Sequence, residues 1–233
     1  DNVAISGETI DYGPCAFIDH FRAGAVFSSI DRGGRYAYGR QPQILHWNMA
    51  RLAEALLPAI HAVDAEGVEA AKALVDEVPQ RFRMRWEKRL RAKLGLREVR
   101  EGDRELFEAL FETMESTSAD FTGHFRKLAH ILRGPDKFSG DALGAEWHGW
   151  LERWRARLAE EGGEADYATR ADDMDRVNPI YIPRNHLVED ALQQAEAGDM
   201  AAWHRLLDIV RAPFTFRADA AGYELPAAAE NPP

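Results

Sequence analysis

Two carboxylates and one amide near the start of the chain form the pattern best suited to chemistry. Asp1 and Asn2 are adjacent, and Asp11 heads an Asp11-Tyr12-Gly13 triplet that follows Val3-Ala4-Ile5 and Ser6-Gly7-Glu8. Two short β-prone runs about a Gly-containing turn predict a hairpin, which would bring Asp11 toward Asn2. Hard divalent cations take oxygen ligands from carboxylates and amide carbonyls, with substrate phosphates completing the shell. Asn2 and Asp11 supply that set and leave Asp1 as the candidate general base. Protein kinases divide the work in the same way: one Asp accepts the hydroxyl proton, an Asn binds metal, and a later Asp-Phe-Gly binds metal again. The correspondence departs at the first motif, because the kinase Asp and Asn are separated in sequence and Asp1 and Asn2 are neighbours. Taken alone, these residues fit an ordinary Asx turn and hairpin better than a metal site.

The elements that must position them are mostly helical. Leu45, Met49, Leu52, Leu56 and Ile60 recur at steps of three and four, predicting a helix from Ile44 to about Val63. A second helix is expected from Asp64 to about Val78, with an apolar stripe of Ala71, Leu74, Val75 and Val78. Pro79 suits the first turn of a third, which carries Phe82, Trp86, Leu90 and Leu94 on one side and ends at Gly95. Its Arg81, Arg83, Arg85, Lys88, Arg89, Arg91 and Lys93 read as a solvated face. Asp103 is expected to cap a fourth helix, and Phe121, Phe125, Leu128 and Leu132 mark a fifth. Trp147, Trp150, Leu151, Trp154 and Leu158 form an aromatic core stripe on a sixth. After the Gly162-Gly163 break, the stretch from Met174 to Pro183 reads as irregular. Asn185 opens a seventh helix that runs to Gly198, and Asp199 caps an eighth through Val210.

Between the hairpin and the first helix, Pro14 to Pro42 is a Gly- and aromatic-rich loop, long enough to suggest a functional segment. Its Arg32, Arg35 and Arg40 are expected to pair with acidic neighbours, Asp19 and Asp31 among them. His46 and His61 lie on the first helix without further ligands to make a metal face. From Arg217 onward, the Ala, Pro and Gly content suggests a loosely held tail.

Several of these segments, in this order, closely resemble the selenoprotein O family. They are Asp1-Asn2, Thr9-Ile10-Asp11-Tyr12-Gly13-Pro14, Phe27-Ser28-Ser29-Ile30-Asp31, Gly34-Arg35-Tyr36-Ala37-Tyr38, Gln41-Pro42, and Trp47-Asn48 with Arg51-Leu52-Ala53-Glu54-Ala55-Leu56. Asn178-Pro179, Arg184-Asn185 and Ala195-Glu196-Ala197-Gly198-Asp199 continue the resemblance to about Pro213. It implies a protein-kinase-like fold that moves AMP from ATP to Ser, Thr or Tyr hydroxyls of proteins. It also implies that Asp1 accepts the proton and that Asn2 and Asp11 hold Mg²⁺ or Mn²⁺, with Asp11 touching the ATP as well. Because the chain opens on the residue that the resemblance makes catalytic, it is read as a fragment. The family's small lobe, with the Lys, Glu and Arg groups that hold the triphosphate, is then expected upstream, and the fragment alone is expected to be inactive.

Composition excludes other classes. With 39 acidic residues against 29 basic and a formal net charge of -10, the chain lacks the basic excess of a nucleic-acid binder. No apolar run approaches the roughly 18 residues of a membrane span. The single cysteine, Cys15, forms no internal disulfide framework or thiolate zinc site and reads as a small packed residue. The residues predict a mainly α lobe with a short β-hairpin at the metal site, and the resemblance implies that it is a protein-kinase-like large (C-terminal) lobe over residues 1–216, with a tail over 217–233. Its activity is that of a cytoplasmic nucleotidyltransferase using ATP on protein substrates, without nucleic-acid or membrane partners. A kinase-type phosphotransferase and a non-catalytic helical interaction module stand as alternatives.

Overall fold

The computed structural model describes residues 3–8, 16–60, 65–134 and 143–227. It is mainly helical. Among the described residues, the one pairing of extended backbone is an antiparallel bridge between His20 and Asp120. The chain divides into two compact units, one of residues Asp1–Cys15 and Ala23–Lys88, the other of Ala16–Arg22 and Arg89–Pro233.

The first unit holds α1 (Gln41–Ile60), α2 (Ala65–Asp76) and the start of α3 (Val78–Lys93). Pro58 removes one backbone donor near the end of α1, which stops two residues later. α1 packs against α2, yet burial here is thin: Leu56 and Leu74 of the predicted stripes stay exposed. The loop before α1 closes on itself. Gly39 N–H donates to Ala23 O at 2.8 Å and Tyr38 N–H to Ala25 O at 3.1 Å. The Asp31 carboxylate, expected to pair with the loop arginines, accepts the backbone N–H groups of Arg35 (2.7 Å) and Tyr36 (2.8 Å). A short carboxylate in a tight turn meets nearby amides before it meets a long side chain. Arg40 donates to the carbonyls of Gly33 and Gly34, and the Arg35 guanidinium lies 4.5 Å from the Trp47 ring centroid.

The second unit contains α4 (Asp103–Ser116), α5 (Phe121–Arg133), α6 (His148–Ala159), α7 (Tyr167–Val177), α8 (Asn185–Glu196) and α9 (Ala201–Val210). α5 packs on α7, α4 on α6 and α8 on α9. The aromatic stripe is core: Trp147, Trp150, Leu151, Trp154 and Leu158 are all buried. The indoles of Trp150 and Trp154 donate to the carbonyls of Leu106 and Leu94, each at 3.0 Å, which satisfies their one polar group inside the core. Gly95 ends α3 with φ +70°, and a Cβ there would lie 3.0 Å from the Met174 sulfur.

Two expectations are corrected. The stretch before Pro183 is not irregular from Met174, because α7 runs to Val177. Its stripe is Tyr167, Arg170, Ala171 and Met174, all buried. One of the four is an arginine, so a search for apolar residues misses the period. Asp103 does not cap α4: the cap position is Gly102, at φ 86°, and the Asp103 carboxylate binds Arg157 and Arg91 instead. The segment from Arg217, read from composition as loose, carries buried Ala220, which clusters with Tyr181 and Ile209. Arg217 N–H donates to the Tyr181 hydroxyl and Ala227 N–H to Asp19.

Candidate functional site

The residues predicted to do chemistry, Asp1, Asn2 and Asp11, lie outside the described residues, as do Cys15, His61 and the outer parts of the predicted hairpin. Between them, residues 3–8 make a turn: Gly7, at φ +72°, donates its N–H to Ala4 O at 3.1 Å. Glu8 N–H donates to the Ser6 hydroxyl at 3.3 Å. Among the described residues, no group of three or more His, Cys, Asp and Glu is arranged to hold a metal ion. No helix among them is long and apolar enough to cross a membrane.

Residues 17–21 are held by several hydrogen bonds. Asn185, first residue of α8, uses its side-chain amide both ways on Phe17: Oδ1 accepts from Phe17 N–H at 2.9 Å and Nδ2 donates to Phe17 O at 2.8 Å. Two residues on, Asp19 receives a hydrogen bond from Arg184 at 2.6 Å. The same guanidinium donates to both oxygens of Asp120, at 2.7 and 2.9 Å, and to Glu224 O at 2.6 Å. Asp120 in turn caps α5 by accepting Gly123 N–H at 2.9 Å. Backbone bonds from Phe21 N–H to Ala119 O and from Phe121 N–H to Asp19 O complete the clamp. Arg184 is wholly buried, and its two terminal nitrogens meet these acceptors while Nε has no hydrogen-bond partner among the described residues. Arg184-Asn185 is legible as a motif in the sequence, but its partners, which lie from 40 to 168 residues away, are not.

A second ionic cluster joins α4, α6 and α7. Arg157 binds Asp103 (2.6 Å) and Glu161 (2.7 Å), and Arg170 binds Glu161 (2.7 Å). Burial alone would raise the Glu161 carboxyl, but hydrogen bonds from Arg170, the backbone of Arg97 and Glu98, and Arg157 outweigh it and hold it at about 2. Lys93, the last residue of α3, donates to Asn178 Oδ1 at 3.0 Å and sits 4.6 Å from the Phe125 ring centroid. Burial lowers its ammonium to about 8. The His124 ring lies 4.0 Å from that of Trp147, and burial, aided by Lys127, lowers its pKa to about 3. These groups are structural in their surroundings: each faces partners that lock helices together.

Unit one also has an open cleft of about 520 Å³ between Tyr38–His46 and the first turns of α3, lined by Tyr38, Gln41, His46, Phe82, Arg83 and Trp86 among others.

Comparison with known proteins bears on the whole chain. Residues 1–211 match the family model described as protein adenylyltransferase SelO. A protein nucleotidyltransferase YdiU of Sphingopyxis alaskensis is 56% identical over 235 residues, covering 100% of this chain and 48% of the relative. The protein of that name from Cereibacter sphaeroides is 49% identical over 231 residues (97% and 46%), and that from Geobacillus kaustophilus 44% over 236 (100% and 47%). The chain spans about half the length of these relatives.

Proposed function

The chain belongs to the protein adenylyltransferase SelO family, and from that premise we propose that it is the large, kinase-like lobe of an enzyme that moves AMP from ATP to Ser, Thr or Tyr hydroxyls of proteins. The family match carries this reading, because it begins at residue 1 and therefore spans Asp1, Asn2 and Asp11. The donor set fits a hard divalent cation: one amide oxygen and one carboxylate, with phosphate oxygens to complete the shell. Asn2 and Asp11 would hold Mg²⁺ or Mn²⁺, which neutralises charge on the phosphates, and Asp11 would also contact the nucleotide. Asp1 would accept the proton of the acceptor hydroxyl. That oxygen forms the new bond to the α-phosphorus of ATP, the bond from the α-phosphorus to the bridging oxygen breaks, and pyrophosphate leaves with the electron pair. The clamp of Arg184 and Asn185 holds residues 17–19. We place the reaction in the cytoplasm.

Catalysis of phosphoryl transfer is mostly positioning. In this reading the triphosphate-holding groups of the family's small lobe belong to the half of the relatives' length that the chain does not span. The chain alone should therefore turn over far more slowly than the full-length protein.

The test incubates full-length protein with a divalent metal and ATP labelled at the α or the γ phosphate, beside Asp1→Ala and Asp11→Ala. Transfer of the α label, lost in both variants, is expected. Transfer of the γ label alone would make the protein a kinase. Transfer of neither, with no metal-dependent change in melting temperature, would leave a helical interaction module.

A further inference from the structure

Unit one lacks the apolar core that its sequence pattern calls for. Leu45, Met49, Leu52 and Leu56 recur on α1 at the helical period, yet the first three are only half-buried and Leu56 is 41% exposed. The one buried residue described on α1 is the polar Asn48. On α2, which packs against α1, Gly67 is the buried one, while Val68 and Leu74 are 43% and 66% exposed. Among the described residues of the unit, no side chain larger than that of Asn48 is buried. In unit two, by contrast, α6 buries Trp150, Leu151, Trp154 and Leu158 along one stripe.

A single exposed Leu is ordinary. A whole stripe is not, because a helix in water draws most of its stability from burying its apolar face. A unit this small has little stability to lose. Leu and Met side chains offer no charge and no donor, so the surface that complements them is another apolar one.

The source of that surface follows from length. The chain spans about half of relatives that are 44% to 56% identical to it, so a comparable length of polypeptide lies outside these residues in each of them. A segment tethered in the same chain meets the stripe at an effective concentration on the order of mM. A second copy would have to be recruited from solution, and a unit without a core needs its cover as it folds.

We propose that the α1 stripe is an internal docking face. In the full-length protein, an apolar element from outside these 233 residues packs along Leu45, Met49, Leu52 and Leu56 and completes the core of unit one. The 233 residues by themselves leave the face open. This goes beyond the adenylyltransferase reading, because it rests on burial and on the relatives' length, not on which phosphate is transferred.

The experiment places the photo-crosslinking residue p-benzoylphenylalanine at Leu52 or at Leu56 of the full-length protein, irradiates it, and maps the cross-linked peptides by mass spectrometry. Cross-links from both positions to residues outside the 233 are expected, in a product that stays monomeric on a denaturing gel. Glu54 is exposed and lies on the opposite side of α1, so the same label there should give about tenfold fewer of them. Cross-links confined to the 233 residues, a dimer-sized product, or a yield no higher than at Glu54 would overturn the proposal. Urea unfolding of full-length Leu56→Glu, beside Leu56→Met, tests the face without the bulky label. A covered Leu56 makes Leu56→Glu raise the unfolding equilibrium constant more than about tenfold, or prevent folding, with Leu56→Met close to the parent. An unchanged midpoint in Leu56→Glu, as expected at an open surface, would also overturn the proposal.

Discussion

At the scale of single residues, charge burial decides most. Arg184 neutralises Asp19 and Asp120 where all three side chains are largely shielded from water. Removing one partner of a buried pair leaves the others uncompensated, at a cost of about 3–5 kcal/mol. Arg184→Ala should therefore lower the urea midpoint sharply, with Asp19→Ala similar and the double variant less than additive, as a double-mutant cycle in urea would show. His124 behaves oppositely. Its pKa is lowered by burial to about 3, while in the unfolded chain it is about 6.5. The unfolded state then binds the extra proton first, so the stability present above pH 6.5 is lost as pH falls toward 3. Between pH 6.5 and 5, before the carboxylates titrate, His124 should contribute a slope of up to about 1.4 kcal/mol per pH unit. Denaturation of His124→Phe across that window should be flatter by that amount. A slope unchanged in the variant would mean that the ring is solvated.

At the scale of elements, helices meet through side chains that the sequence shows only in part. The sequence marks Gly95 only as a helix end, but the structure would put a Cβ there against Met174 of α7. Gly95→Ala would combine a positive φ with that contact and should destabilise by roughly 1–2 kcal/mol, measurable in chemical denaturation. Gly102→Ala shares the positive φ in open space and should cost less. Leu151, wholly buried on α6, should cost about 2–5 kcal/mol on truncation to Ala. The stripes of α5 and α6 were legible because their apolar residues recur at the helical period. That of α7 was not, because Arg170 occupies a core position and is tolerated there by Glu161 and the Gly95 carbonyl.

At the scale of the molecule, the two units differ in how much they bury. Among the described residues of the first, Ala37, Asn48 and Gly67 are the buried ones, whereas the second encloses the Trp and Leu core of α4 to α7. Local opening is governed by such burial. Hydrogen exchange should be faster in α1 and α2 than in α5 and α7, and limited proteolysis should nick the first unit before the second. Equal protection in both would show that α1 and α2 are stabilised by more than the contacts described. The acidic excess is also uneven, with α3 carrying an exposed run of basic residues through Arg89.

The sequence by itself determined the family, the mainly helical class, the helices whose faces are apolar, and the identity of the residues proposed for chemistry. These depend on residue order and on a local period, both of which are written along the chain. Only the tertiary structure decided that Asp103 pairs with arginines instead of capping α4, that Arg170 is core, that residues 217–227 are tied down, and that Arg184 meets Asp19. An ion pair between residues 165 apart in sequence has no periodicity to reveal it. Every Arg and Asp is a plausible partner until the packing of helices brings a few together and removes the water that would otherwise satisfy them.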